Sequence, residues 1–169
     1  MSKKALVAMA AVCLSTSSMA ATWYTLMTVG GDNFIEFFDA DSVVKAGSTV
    51  TIWEKTFYDL QTERPNGTYS FAARTVYNCK ARTIFTKTES SYGRSGNFIR
   101  TINASPNDAP TEAIPGTNGD DELRVVCDPD FPRGTNTKIY APTPKNDVTA
   151  AAQAFYDYLR AQKADPAPK

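Results

Sequence analysis

Residues 69–79 read Tyr-Ser-Phe-Ala-Ala-Arg-Thr-Val-Tyr-Asn-Cys. Side chains of a β-strand alternate between two faces. Tyr69, Phe71, Ala73, Thr75, Tyr77 and Cys79 therefore share one face. Ser70, Arg74 and Asn78 share the other, with Ala72 and Val76 between them. A half-covered strand whose aromatic face ends in a cysteine constrains what surrounds it. It calls for more strands alongside, a helix over the aromatic face, and a disulfide from Cys79 closing the arrangement.

The N-terminus bears on where such a disulfide forms. Lys3 and Lys4 precede an apolar run at residues 5–14, the length of a signal-peptide core and too short to span a bilayer. Small residues at Ser18 and Ala20 make a signal-peptidase site, with cleavage expected between Ala20 and Ala21. Removing residues 1–20 leaves 16 basic against 18 acidic side chains, a net charge of −2. No later stretch is apolar enough to span a membrane, so an exported, soluble product is expected. Cys13 follows Val12 after an apolar run that would be very short for a lipoprotein signal, and is read as leaving with the leader; the alternative is a lipid anchor. Cys79 and Cys127 remain. Two cysteines in an exported chain point to one disulfide; the alternative is two unpaired buried thiols. Closing a span of roughly fifty residues contributes about 4 kcal/mol in the chain-entropy picture, less any strain.

Residues 22–29 are rich in β-branched and aromatic side chains and read as a strand, ended by a turn at residues 30–33. Residues 34–38 form a second strand, closed by a polar turn at 39–42. Asp39 and Asp41 in that turn lack the ligand series, central Gly and closing Glu of a calcium loop. Residues 49–58 put Trp53 and Phe57 on one face and Val50, Ile52 and Tyr58 on the other, which suits a central strand. A polar hairpin loop at 61–67, ending Asn66-Gly67, leads to the antiparallel partner at 68–79. Further strands at 81–89 and 97–102 flank a turn at 92–96. Six strands joined by short turns give an antiparallel sheet.

A helix is expected to start near Thr117 or Asn118, either of which can cap it. Asp120, Asp121 and Glu122 then sit in the first turn, where the helix dipole favours carboxylates. Leu123, Val126 and Cys127, at i, i+3 and i+4, share a face. So short a helix is marginal alone, and a Cys127–Cys79 link would pin it to the sheet. Residues 129–145 hold Pro129, Pro132, Pro142 and Pro144 and read as a loop or extended linker. A second helix is expected over residues 146–163, capped by Asn146-Asp147. Its Val148, Ala151, Ala152, Phe155 and Leu159 form an amphipathic stripe. The stripe is expected to pack on the same sheet; the alternative is a partner surface. Residues 164–169 are a tail. The fold class is thus α+β: one antiparallel sheet of about six strands, a short helix tethered to one face, and a C-terminal amphipathic helix.

Catalytic groups are sparse. The chain has no His, which removes His-based triads, the commonest general base and most zinc sites. It has no Gly-rich phosphate loop, and a Cys79–Cys127 pair leaves no thiol nucleophile. Balanced charge, 18 against 18, gives no basic field for nucleic acid. Lys80, Arg82, Lys87, Arg94 and Arg100 fall on and around the later strands and read as a solvated sheet face; the alternative is a basic binding face. The expectation is a binding protein with no enzymatic activity, cofactor or metal.

The order of these features resembles a known family. Trp53 in its strand, the hairpin, Tyr77-Asn78-Cys79-Lys80-Ala81-Arg82, the Tyr92-Gly93 turn, and Pro115-Gly116 leading to Val125-Val126-Cys127 together look like the surface-adhesin protein E family of Gram-negative bacteria. The resemblance covers residues 22–128. It implies an antiparallel sheet with a helix disulfide-tethered to its concave side. It also implies a dimer on the outer cell surface that binds host plasminogen, vitronectin and laminin. Two functions follow as expectations: a surface module binding host or extracellular-matrix proteins, or a periplasmic accessory protein. The second would bind a peptide, a small ligand or an envelope protein, with the C-terminal helix as contact.

Overall fold

The computed structural model describes residues 21–26, 34–61, 64, 66–132, 139–142 and 147–164. Its strands are β1 (Trp23–Leu26), β2 (Phe34–Asp39), β3 (Val44–Ala46), β4 (Thr49–Tyr58), β5 (Ser70–Asn78), β6 (Thr83–Tyr92), β7 (Phe98–Asn103), β8 (Thr111–Glu112) and β9 (Ile139–Pro142). Helix α1 (Asn118–Val126) lies between β8 and β9, and α2 (Val148–Ala164) follows β9. All strand pairs are antiparallel, in the order β7-β6-β5-β4-β2-β1-β9, with β3 on β4 and β8 on β6. The expected class holds: one antiparallel sheet, one tethered helix and one C-terminal helix. The six expected strands become nine among the described residues, because β3, β8 and β9 are too short to carry a readable alternation. Strand β9 lies within the segment read as a loop or extended linker. It pairs with β1 at the sheet edge, where a proline is tolerated. Residues 1–20, expected as a leader and including Cys13 and Ala20, lie outside the described residues, as do the expected turn at 30–33 and residues 165–169 of the tail expected at 164–169; Ala21 is the first residue described, and Ala164 ends α2.

Register sorts the side chains onto two faces. On the first, Val50, Ile52, Glu54 and Thr56 of β4 stand between Phe34, Glu36 and Phe38 of β2 and Phe71, Ala73, Thr75 and Tyr77 of β5. Here α1 docks, and Leu123 and Val126 close a core with Phe38, Val50, Ile52, Tyr77 and Phe131. On the second face, Ile35 and Phe37 meet Val148, Ala152 and Tyr156 of α2, with Phe57 at the margin. The Tyr156 hydroxyl donates to the Phe57 carbonyl at 2.8 Å. The amphipathic stripe of α2 therefore packs on its own sheet.

Three devices fix α1. Thr117 is its N-cap, its side chain accepting from the Asp120 N–H. Cys127 at its end is disulfide-bonded to Cys79, with Cα atoms 5.5 Å apart. Buried Asp120 receives Arg82, Arg124 at 2.6 Å, and the Gly116 N–H at 3.2 Å. Burial pushes the Asp120 carboxyl up, but the Gly116 N–H and the two guanidinium groups outweigh it and hold it below its ordinary range.

Candidate functional site

The α1 face is not filled from end to end. Above the apolar core the sheet turns acidic, leaving a hollow of about 310 Å³ lined by Phe34, Glu36, Glu54, Phe71, Tyr77 and Glu122, among others. Alternation explains why the carboxylates converge. Glu54 continues the Val50–Ile52 face of β4, Glu36 lies between Phe34 and Phe38 on β2, and α1 lowers Glu122 from above. A bulge adds a fourth group. Thr75 pairs with Thr86 but Arg74 with Thr88, so Lys87 is the extra residue of β6. The slip keeps both Thr86 and Glu89 on the hollow's side.

Donors are few. The Tyr77 hydroxyl donates to Glu54 Oε1. The Thr56 hydroxyl donates to Glu36 Oε1 at 3.4 Å. The Glu36 and Glu122 carboxyls interact directly, and Glu36 Oε2 is buried with no donor from the rest of the described residues. Glu36 and Glu54 are only 6% and 5% exposed. No Lys or Arg is among the lining residues.

These surroundings raise the pKa of Glu36, Glu54 and Glu122. Burial first, then the charges of Glu122 and Glu54, holds Glu36 well above the ordinary carboxylate range. Burial raises Glu54 to about 7, opposed by hydrogen bonds from Thr75 and Tyr77. Glu122 is also raised, by burial and then by Asp121, against its bond with Glu36. Burial and the Glu54 charge push the Tyr77 phenol up as well.

A pH dependence of stability follows. An acid with a raised folded-state pKa stabilises the fold below its unfolded pKa, about 4.5 for these glutamates, and that stability is lost as pH rises toward the folded value. Asp120 works in the opposite sense and withdraws stability only at acid pH, below its ordinary value of 3.8. The unfolding free energy from urea melts in amine-free buffer should therefore fall between pH 5 and pH 8, by about 2 kcal/mol or more. Glu54→Gln should flatten that fall, and identical slopes for both proteins would refute the buried acidic cluster.

The sequence reading did not single out Glu36, Glu54 or Glu122 as a group. The signal was a Glu at an inward position of two apolar strand faces. All five residues of the expected basic face are exposed; of these, Arg82 is also engaged by Asp120, and Arg94 donates to the Tyr69 hydroxyl at 2.7 Å. Asp39 and Asp41 form a turn, the Asp39 side chain accepting from the Asp41 N–H, and no three His, Cys, Asp or Glu among the described residues are arranged to hold a metal.

A second feature lies at the sheet edge. All six side chains of β7 are exposed, and they include Phe98 at 60%, Ile99 and Ile102. Among the described residues β7 is paired on one side only, to β6. No described helix is long and apolar enough to cross a membrane. The family model for surface-adhesin protein E matches residues 23–128, from β1 through the end of α1 to just past Cys127. No curated protein and no solved structure matches the chain.

Proposed function

Since the chain belongs to the surface-adhesin protein E family, we propose that it is an exported, non-enzymatic binding module displayed on a Gram-negative cell, where it binds host or extracellular-matrix proteins. The observation that carries this reading is the family match over residues 23–128. The leader at residues 1–20, cleaved between Ala20 and Ala21, supports export, and the Cys79–Cys127 disulfide suits an oxidising compartment. The contact surface is β7. Its open edge offers unpaired backbone donors and acceptors to an extended partner segment, and Phe98 and Ile102 add apolar anchors. The mature chain should bind at least one of plasminogen, vitronectin and laminin on a sensor surface. Replacing Phe98 and Ile102 together with Ser should weaken that binding by about tenfold or more while leaving the thermal melt in place. Equal binding by the double variant would remove β7 from the contact.

A periplasmic accessory role is the competing reading. Exposed Tyr158 on α2 favours it, because the opposite stripe of the helix is already buried on the sheet. Tyr158→Ala should leave host-protein binding intact; loss of binding there, and not on β7, would favour α2 as the contact.

A further inference from the structure

The acidic hollow is separate from the β7 edge and poses its own chemical problem. Three carboxyl groups from three elements, Glu36 on β2, Glu54 on β4 and Glu122 on α1, meet in one space. Buried carboxylates are retained only where something compensates them. The hydroxyls of Thr56 and Tyr77 satisfy one oxygen each of Glu36 and Glu54. Glu36 Oε2 is left to a proton shared with Glu122, or to a donor from outside. Arg64 stacks on the Tyr58 ring, 3.5 Å from its centroid, and Arg100 stands exposed on β7 opposite Ser91; neither lines the hollow. Every titratable group that does line it, Glu36, Glu54, Tyr58, Tyr77, Glu89 and Glu122, is an acid or a phenol.

We propose that the hollow binds a primary alkylammonium group, with its nitrogen among Glu36, Glu54 and Glu122 and its alkyl stem against Phe34 and Phe71. An ammonium has three N–H donors that can each reach a different carboxylate, which suits acceptors that line one space from two strands and a helix. A guanidinium presents a flat fork that suits a single carboxylate instead. The aromatic walls suit a methylene stem and favour a nearby cation. At about 310 Å³ the space is at the small end of ligand sites, which run from about 300 to 1,000 Å³. That admits one amine or one lysine side chain. A bare metal ion fits less well, since the described residues hold no metal-binding arrangement. The disulfide and the Asp120 pairs fix α1, so Glu122 is held in place before any ligand arrives.

Binding displaces the protons that otherwise quiet the cluster, so affinity rises with pH. The test titrates the mature protein with n-butylammonium, Nα-acetyl-lysine methylamide and putrescine, following backbone amide resonances of β2, β4 and α1, at pH 8 and then at lower pH in amine-free buffer. The ammonium probes should shift those resonances at pH 8, and affinity should fall about tenfold per pH unit below pH 7 for each displaced proton. Glu36→Gln and Glu54→Gln should each weaken binding by about tenfold or more, with dispersed spectra retained, and Glu112→Gln on exposed β8 should change nothing. Response to the lysine derivative but not to putrescine assigns the site to a protein side chain; the reverse assigns it to a free amine. No shift at pH 8, an equal shift with neutral n-butanol, tighter binding of n-butylguanidinium or Ca²⁺, or wild-type affinity in both glutamine variants overturns the proposal. The wild-type pH profile decides even if a variant fails to fold.

Discussion

Cys79→Ser or Cys127→Ser should lower the unfolding free energy under oxidising conditions by about 4 kcal/mol, within a range of about 2–5. The two cysteines are 48 residues apart in sequence. The link removes closure entropy from the unfolded chain, and the logarithmic dependence on loop length makes the figure insensitive to the exact span. In the folded state the bond sits where β5 ends and α1 ends, beside the core formed by Val126, Tyr77 and Val50. A nine-residue helix is marginal by itself, so weakening its tether should loosen α1 before the sheet. Hydrogen exchange should speed up first in α1, and Glu122 should leave the hollow with it. Coincident urea melts for wild type and a single Ser variant would contradict the tether. The same melts under reduction supply an internal control, since reduced wild type should fall to the level of the variants.

Phe38→Ala should destabilise by about 3–5 kcal/mol. Phe38 is buried at the crossing of β2 with the helical layer. Its ring stacks on Tyr24, centroids 5.5 Å apart, and tilts against Phe131 at 4.8 Å. Truncation there removes the contact that joins β1, β2 and the segment after α1, and close packing leaves a cavity. Phe98→Ala is the matched comparison: the same atoms are removed from an exposed edge strand, and the change should stay within about 0.5 kcal/mol. Similar losses for the two variants would mean that the core is not where β2 and α1 meet.

The sheet was legible where strands were long. The alternation from Tyr69 to Cys79 reappears as β5, with Ala73, Thr75 and Tyr77 buried on the face that α1 covers. The two-faced reading of residues 49–58 holds, with Val50 and Ile52 on the α1 side and Phe57 toward α2. Thr117 caps α1, and Asp147 caps α2 by accepting from the Ala150 N–H at 3.0 Å. Strands β3, β8 and β9 were not legible, since two to four residues carry no period and these exist through pairing with β4, β6 and β1.

The hollow was hidden for a different reason. Asp120, Asp121 and Glu122 satisfy the same helix-dipole argument, yet successive residues point about 100° apart around a helix. One is buried between two arginines, one is exposed, and one enters the hollow. Likewise Glu36 and Glu54 look like ordinary polar residues until register places them on one face. Local propensity does not contain that information; the pairing of β2 with β4 does.

Protease shaving of intact cells tests the proposed display on the cell surface. The mature chain is followed beside a periplasmic control protein, before and after the outer membrane is opened. Cleavage in intact cells with the control preserved is the expected result. Protection of the chain until the membrane is opened would contradict surface display and leave the protein in the periplasm.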